Sequence, residues 1–315
     1  MSDNIRPTEA FALQVATDTT GDTPLSARRF TTGSSHYVYE VSFSDRPSIV
    51  VRVGQHQARH GMQGAVSLSN LLKPLGVPLP AIMAANVEAD LPWLVLERLP
   101  GTDLGGVIEH LTEEQLETLA QNIALAQTLT SKTATANKYG YATAPDLAPY
   151  AIWSQVLDTS LNRSRQRIAS AGLFETVLVD DLQTIVSTRR SKLDQIASVP
   201  FLHDTTTKNV IIASNGVLSG IVDVDDLCFG DPRYPAALTL AVLLAYGGPV
   251  EYVSAWLRHA GQSDDQTFRL YVSLFLLDLM AEHGQVFNGN ERQSDPETRM
   301  ALRTAYRDSL QLVLG

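Results

Sequence analysis

Three oxygen-bearing side chains lie at a spacing that suits a metal ion. Asn209 follows Asp204 by five positions, and Asp223 comes fourteen positions after Asn209. Two carboxylates and one amide oxygen are hard ligands of the kind that Mg²⁺ prefers, and Mg²⁺ completes its shell with water and substrate phosphates. The sequence therefore predicts a magnesium site, provided that the fold brings these three side chains together.

A β-hairpin is predicted between the second and third of these residues. Apolar and β-branched runs occupy residues 210–212 and 217–222, and Asn215-Gly216 lies between them. Asn-Gly between two apolar runs is a strong hairpin signal, because a type I′ turn needs positive φ at both central residues.

The pairing across this hairpin decides whether the three side chains meet. With a two-residue loop, Ser214 pairs with Val217 and Asn209 lies opposite Val222. Asp223 is then one step from Asn209 at the open end, and the first aspartate of the set lies just before the same end. The alternative is a hairpin with polar ends and no metal, since Asp and Asn favour turns in any protein.

Three short motifs together resemble the aminoglycoside phosphotransferase family, the small-molecule branch of the protein-kinase-like fold. The family reads roughly His-Gly-Asp-x-x-x-x-Asn, then a hairpin, then Ile-Asp-(Trp or Phe) and Gly-Asp-Pro. The motifs of this chain are His203-Asp204-x-x-x-x-Asn209, Val222-Asp223-Val224 and Gly230-Asp231-Pro232. The resemblance implies an α+β protein-kinase-like fold, with a small N-lobe of antiparallel sheet plus helix and a larger, mainly helical C-lobe.

The resemblance also implies a division of labour between two lobes. Residues 1–99 would form the nucleotide-binding N-lobe, and residues 100–315 would form the C-lobe with the catalytic loop and the acceptor pocket. Pro100-Gly101 supports a boundary there, because this pair breaks regular structure.

The implied activity is ATP-dependent transfer of the γ-phosphate to a hydroxyl of a small molecule, such as an aminoglycoside or another antibiotic. Asp204 would accept or orient the proton of that hydroxyl, and Asn209 and Asp223 would hold Mg²⁺. Six further residues would contact the nucleotide: Gly33, Ser34, Ser35, Arg52, Glu97 and Leu99.

Residues 27–54 show the pattern strand, small-residue loop, strand, turn, strand. The loop, residues 31–35, offers backbone N–H groups that can form a phosphate-binding nest, and an ordinary hairpin is the alternative. Arg52 is the one charge on the third strand, where kinases carry a Lys that contacts the α and β phosphates. We expect Arg52 to grip phosphate, and a solvated edge charge is the alternative.

Two departures from the family pattern affect the expected activity. The helix predicted over residues 57–75 contains no Glu or Asp, although kinases carry there a Glu that pairs with the strand Lys. Gln63-Gly64 stands in its place, which leaves Arg52 without its expected ion-pair partner. Leu202 replaces the family's His, and His203 directly precedes the aspartate. A weakly active or inactive nucleotide-binding pseudokinase is therefore the alternative function, and an unrelated α+β binding protein is a third.

Three charged residues near the hairpin have two interpretations each. Lys208 would reach the γ-phosphate or point to solvent. Asp225 and Asp226 would give a turn its polarity or form an acidic wall that faces a cationic substrate. The resemblance favours a structural role for Asp231, which would brace the C-lobe.

Composition limits the class of protein. With 315 residues the chain is long enough for about two lobes, and 44% hydrophobic residues allow a sizeable core. A formal net charge of −10 argues against a broad nucleic-acid surface. The lone Cys228 excludes an intrachain disulfide and cysteine-rich metal sites, and we expect no zinc site.

The chain also lacks obvious targeting signals. Its N-terminus has no apolar core of a signal peptide, and the apolar run at 236–245 is too short to span a bilayer. We therefore expect a cytoplasmic monomer or homodimer with a small-molecule partner and with neither membrane nor nucleic-acid partners.

Helices are predicted from apolar spacing and end signals. The clearest start is Thr112, which has capping-box spacing to Gln115. The other predicted helices cover residues 6–17, 57–75, 149–171, 175–196, 234–246, 250–260, 264–286 and 296–313.

Overall fold

A computed structural model describes residues 6–30, 36–287, 290–291 and 294–314. An antiparallel sheet dominates the N-terminal part, with the strand order β1-β2-β3-β5-β4. Its strands are β1 (Ser26–Arg29), β2 (Tyr37–Ser42), β3 (Ile49–Val53), β4 (Ile82–Asn86) and β5 (Trp93–Glu97). Two helices accompany it: α1 (Glu9–Thr20) and α2 (Arg59–Leu72).

Alternating burial explains how this sheet holds its first helix. In β2 every second residue is buried, and Tyr39 and Val41 belong to this inner row. They pack with Ala12 and Ala16 of α1 in one apolar cluster. Successive strand side chains point to opposite faces, so one face of β2 is available for the core.

Helices dominate the rest of the chain. They are α3 (Glu113–Thr130), α4 (Trp153–Ala171), α5 (Val177–Thr188), α6 (Arg190–Leu193), α7 (Tyr234–Tyr246), α8 (Glu251–His259), α9 (Gln266–Glu282) and α10 (Pro296–Leu314). Helix α9 is the centre of this region, because it is buried along most of its length and packs against α4, α7 and α10. Separate sheet and helix regions make an α+β architecture, as predicted. In the described part of the chain, no helix has both the length and the apolar character needed to cross a bilayer.

Short strands stand between these helices and complete the fold. They are β6 (Thr102–Asp103), β7 (Gly140–Ala142), β8 (Val199–Phe201), β9 (Val210–Ile212), β10 (Leu218–Ile221), β11 (Leu227–Gly230), β12 (Val286–Phe287) and β13 (Asn290–Glu291). They form a β10-β9-β6 sheet, a β7-β11-β8 sheet and a β12-β13 pair.

The capping box of α3 is confirmed. Thr112 Oγ1 accepts the Gln115 N–H at 3.2 Å, and Gln115 Oε1 accepts the Thr112 N–H at 2.9 Å. The single helix predicted over residues 175–196 is wrong, because Arg189 leaves the helical conformation between α5 and α6. Its guanidinium donates instead to the carbonyl of Val313, at the end of α10.

The loop of the β9–β10 hairpin differs from the predicted two-residue turn. Gly216 N–H donates to the Ala213 carbonyl at 2.9 Å, and Ala213 N–H donates to the Val217 carbonyl at 2.9 Å. The loop therefore has three residues, and the predicted pairing of Ser214 with Val217 is wrong. Gly216 has a φ of 82°, the left-handed conformation that such a three-residue loop requires at its last position.

A second irregularity restores the predicted register. The β9–β10 pairing shifts between Leu218 and Gly220, which adds one residue to β10. Beyond the bulge, the Val222 N–H donates to the Asn209 carbonyl at 2.9 Å. The prediction that Asn209 lies opposite Val222 is therefore confirmed, although by a bulge rather than by the turn.

Candidate functional site

The restored register places Asn209 and Asp223 close together in the backbone, and Asn209 also contacts the backbone of Asp204. Asn209 lies opposite Val222 at the open end of the hairpin, and Asp223 is the next residue beyond that pair. Asn209 is buried, and its Nδ2 donates to the Asp204 carbonyl at 3.1 Å. This bond ties the start of the catalytic loop, residues 202–209, to its end and uses the amide nitrogen rather than the oxygen that a metal would bind.

Asp223 has an unusual backbone. Its φ is 65°, the left-handed region that non-glycine residues rarely adopt. Such a conformation persists only where the surrounding structure imposes it, and it is frequent at functional sites. The carboxylate is half exposed and so remains open to the cleft.

The Asp204 carboxylate is fixed by a hydrogen bond but remains partly exposed. Its Oδ1 accepts the Thr206 hydroxyl at 2.6 Å, and about a third of its side chain is exposed. Lys208 Nζ lies 3.9 Å from Asp204 Oδ2 and is itself mostly exposed. Asp204 therefore offers one fixed and one accessible carboxylate oxygen.

Arg52 contradicts the alternative of a solvated edge charge and the expectation that it lacks an ion-pair partner. It is buried on β3 rather than solvated at the sheet edge, and it has ion-pair partners. Its Nη2 lies 2.8 Å from Asp223 Oδ1 and 2.5 Å from Asp225 Oδ2. The partner that α2 lacks thus comes from the segment that follows the hairpin. Burial disfavours the charged guanidinium, but the two carboxylates outweigh this and raise the pKa of Arg52.

Asp225 is the functional candidate whose contacts the sequence did not reveal. His36 Nε2 lies 3.0 Å from the same Oδ2 that binds Arg52. Burial would raise the pKa of Asp225, but Arg52 and His36 overcome that effect and lower it to about 2. The acidic cluster Asp223, Asp225 and Asp226 was the one signal in the sequence, and it does not give the pairing, because the left-handed backbone of Asp223 breaks the alternation of an extended segment.

Close packing explains why α2 carries no acidic residue toward Arg52. A Cβ on Gly64 would lie 2.2 Å from the Asp225 carbonyl oxygen and 2.4 Å from Thr143 Cγ2. Helix α2 therefore contacts the Asp225 backbone at position 64, and any side chain larger than that of glycine would collide with this backbone. Gln63, which stands where the family's Glu is expected, is exposed and so does not take over the role of that Glu toward the buried Arg52.

Gln127 on α3 braces the catalytic loop, and sequence reasoning missed it. Its Nε2 donates to the Leu202 carbonyl at 2.9 Å, and the Leu202 N–H donates to its Oε1 at 3.0 Å. Thr239 on α7 adds a bond from its hydroxyl to the Thr205 carbonyl at 3.3 Å. No local pattern points to Gln127, because it lies 75 positions before Leu202.

His203 and Asp231 lie deeper in the helical region. His203 stacks edge-on against Tyr141, whose hydroxyl lies 3.2 Å from its Nε2. Burial lowers the pKa of His203 to about 4, against the opposing pull of Asp204. Asp231 is buried and accepts bonds from Arg233 and from the Tyr271 hydroxyl, so its contacts are those of a brace.

The sequence matches a family model described as the phosphotransferase enzyme family over residues 26–271. That match covers most of the chain. The protein belongs to the phosphotransferase enzyme family. No curated protein sequence matches the chain.

Solved structures place this phosphotransferase in the kinase-like fold. A thermostable mutant of the aminoglycoside phosphotransferase APH(4)-Ia, in complex with ADP and hygromycin B, is 13% identical with a TM-score of 0.66, over 96% of this chain and 99% of that one. The APH(2″)-IIa complex with ATP and streptomycin is 13% identical with a TM-score of 0.64, over 98% and 97%. The APH(2″)-IIia complex with GDP and kanamycin is 16% identical with a TM-score of 0.65, over 96% of each chain.

The predicted nucleotide contacts of this phosphotransferase are only partly described. Gly33, Ser34 and Ser35 lie outside the described residues. Glu97 exchanges two hydrogen bonds with Ala81, one through its N–H at 2.8 Å and one through its carboxylate at 3.0 Å. The Leu99 carbonyl accepts from the Arg98 guanidinium, so both predicted linker groups already have protein partners.

A small cavity lies between the sheet and the hairpin. It measures about 40 Å³, well below the roughly 150 Å³ of an apolar cavity that holds benzene. The cavity is therefore smaller than a planar ring needs. Its lining is mainly apolar, with Arg52, Ser69 and Asp223 as the polar members: Arg52, Ala65, Ser69, Leu79, Pro80, Ile82, Leu94, Leu96, Ile221, Asp223 and Val224.

The donor set fits a metal and a phosphate. Asn209 and Asp223 offer the oxygen ligands that suit Mg²⁺. In the part of the chain that is described, Asp225 Oδ1, Arg52 Nε and His36 Nδ1 are buried without a hydrogen-bond partner. Buried polar atoms normally have partners, so these three atoms are suited to meet an additional polar group at this point.

Proposed function

We propose that this phosphotransferase moves the γ-phosphate of ATP to a hydroxyl group of a small molecule with the help of Mg²⁺. The observation that carries the proposal is the convergence of Asp204, Asn209 and Asp223 at one hairpin end, opposite the buried Arg52. A base, two metal ligands and a phosphate-binding cation are the parts that phosphoryl transfer requires.

Each residue has a defined task in this proposal. Asn209 and Asp223 hold Mg²⁺, which when bound offsets charge on the phosphate oxygens. Asp204 accepts or orients the proton of the acceptor hydroxyl through its accessible oxygen, which is worth roughly 10²–10⁴-fold in rate. Arg52 positions phosphate oxygens, and Gln127 keeps the catalytic loop in place.

The proposed acceptor class is supported by the structural neighbours rather than by a pocket. Structural neighbours are bound to hygromycin B, streptomycin and kanamycin, and their nucleotides are ADP, ATP and GDP. We propose aminoglycoside-like compounds as the first acceptors to screen, and ATP and GTP as the two phosphate donors to compare.

The test measures phosphate transfer from ATP or GTP to a panel of hydroxyl compounds, with and without Mg²⁺. We expect turnover in the wild-type protein, a loss of roughly 10²–10⁴-fold in Asp204→Asn, and loss of the Mg²⁺ dependence in Asp223→Asn. Asp180→Asn serves as the matched control, because it removes a carboxylate that pairs with Arg165 on the helical surface. Equal activity in all four proteins would overturn the proposal.

One observation favours a second candidate, an inactive nucleotide-binding protein. Arg52 occupies one oxygen of Asp223 at 2.8 Å, and that carboxylate is the proposed metal ligand. If ADP raises the melting temperature of the protein while no acceptor is phosphorylated, the second candidate replaces the first.

A further inference from the structure

We propose that Asp225 is a positioning residue that holds Arg52 in place of the kinase helix glutamate and thereby leaves Asp223 free for Mg²⁺. This inference rests on the proposed function, because it assigns Asp223 to the metal. It gives a task to a residue whose position in the chain suggested only turn polarity or an acidic wall.

The first step is the competition for one guanidinium nitrogen. Arg52 Nη2 is shared between Asp225 Oδ2 at 2.5 Å and Asp223 Oδ1 at 2.8 Å. A single nitrogen cannot hold both carboxylates equally well when a metal also attracts one of them. The partner with the shorter contact and the lower exposure is Asp225, whose side chain is 25% exposed against 48% for Asp223.

The second step is the anchoring of Asp225. His36 Nε2 binds the same Oδ2 at 3.0 Å, so this carboxylate is fixed from two sides. Asp223 has no comparable second anchor among the described ion pairs, and Arg52 is its one recorded partner there. When Asp223 turns to a metal, Asp225 therefore keeps Arg52 paired and in position.

The third step is the exclusion of the alternative partner. Gly64 of α2 lies so close that a Cβ would come 2.2 Å from the Asp225 carbonyl oxygen. A side chain at position 64 and an Asp225 loop in its present position cannot coexist. A helix partner at that position and the loop partner therefore exclude each other, and a buried Arg must be paired.

The experiment is a double-mutant cycle on the full chain: wild type, Asp225→Asn, Arg52→Gln and the R52Q/D225N double variant. Calorimetry measures ADP binding at increasing Mg²⁺ and in EDTA, and thermal unfolding is recorded without ligands. Glu175→Gln is the control, because it removes the exposed carboxylate partner of Arg303 on α10.

We expect Asp225→Asn to raise the Mg²⁺ concentration for half-maximal ADP binding by about tenfold, the size of a coupling between contacting charged groups. The reason is that Arg52 then pairs with Asp223 alone and competes with the metal. In the Arg52→Gln background the same change is expected to leave the Mg²⁺ requirement unaltered, because the competitor is gone. Asp225→Glu keeps the charge and is expected to restore the wild-type requirement.

Three outcomes overturn the inference. An equal rise in both backgrounds would mean that Asp225 meets the metal directly, and no rise in either would mean that it does not act on Arg52. Absence of Mg²⁺-dependent ADP binding in the wild-type protein would overturn both this inference and the proposed function. A coupled Mg²⁺ requirement in a protein that phosphorylates no acceptor would overturn the proposed function alone.

Discussion

Two regions hold polar groups in place by different kinds of contact. One is the hairpin segment, residues 204–223, and the other is the facing wall of the cavity, formed by β3 and α2. On the hairpin, short-range bonds such as Val222 to Asn209 set the positions of the polar groups. On the wall, Arg52 depends on carboxylates more than 170 positions away. Groups that are positioned by local bonds depend on a short sequence pattern. An ion pair between distant residues depends only on the packing that brings the two partners together, so its partner can come from another element.

Removal of Arg52 is expected to give the largest loss of stability, because it removes the ion pairs between β3 and the segment after the hairpin. Arg52→Ala leaves Asp223 and Asp225 beside each other with His36 as the one remaining basic partner among the described residues, and loss of one partner of a buried pair costs about 3 kcal/mol. Urea unfolding without Mg²⁺ measures the change in the free energy of unfolding. Arg303→Ala, which removes an exposed partner, is expected to cost less than about 1 kcal/mol. Equal losses in the two variants would show that Arg52 is not a buried-pair residue.

A matched glycine pair tests the contact between wall and loop. Gly64→Ala forces a Cβ against the Asp225 backbone and is expected to destabilise the fold by about 2 kcal/mol, as overpacking does. Gly61→Ala places its Cβ 3.4 Å from Asp225 Oδ2, an ordinary contact. Because Ala favours helices over Gly, this control is expected to be neutral or slightly stabilising. Thermal unfolding of both variants decides, and the reverse order of stability would contradict the close approach.

Gln127, which holds the loop before the hairpin, provides the test of the hairpin side. Gln127→Leu leaves the Leu202 N–H and carbonyl without their buried partners, which is expected to cost about 1.5 kcal/mol. Phosphate transfer should fall as well, since the loop carries Asp204. The control is Gln121→Leu, an exposed position on the same helix. If the two variants unfold alike and are equally active, Gln127 does not hold the loop.

The smallest effect concerns Asp226, next to the residue that pairs with Arg52. Burial, together with the charges of Asp225 and Asp223, raises its pKa to about 6. The folded state thus binds this proton more tightly than the unfolded state, so the carboxylate destabilises the fold above pH 6 and has no effect well below pH 4.

A pKa raised from 3.8 to about 6 corresponds to at most about 3 kcal/mol, and solvent screening of this partly exposed carboxylate reduces that figure. Asp226→Asn is therefore expected to add about 1 kcal/mol at pH 8 and nothing near pH 3. Urea unfolding in EDTA at both values measures it. A gain of the same size at both pH values would contradict the raised pKa.

The hairpin also shows the limit of prediction from turn chemistry. Asn215-Gly216 correctly indicates a turn, but the turn closes one residue earlier than predicted, at Ala213 and Val217. The bulge beyond Leu218 then compensates, so the register at Asn209 is as predicted. The register at the end of the hairpin was predictable because each strand must bury one face, and a slip of one residue would expose that face.

The sequence by itself determined the family, the α+β class, most of the helices and the meeting of Asn209 with Asp223. These features depend on residue types and short spacings, which turn and burial preferences translate directly into structure. Tertiary structure alone decided that Asp225 pairs with Arg52 and that Gln127 holds Leu202. Those contacts join residues 173 and 75 positions apart, so they exist only after α2, α3 and the hairpin have packed against one another.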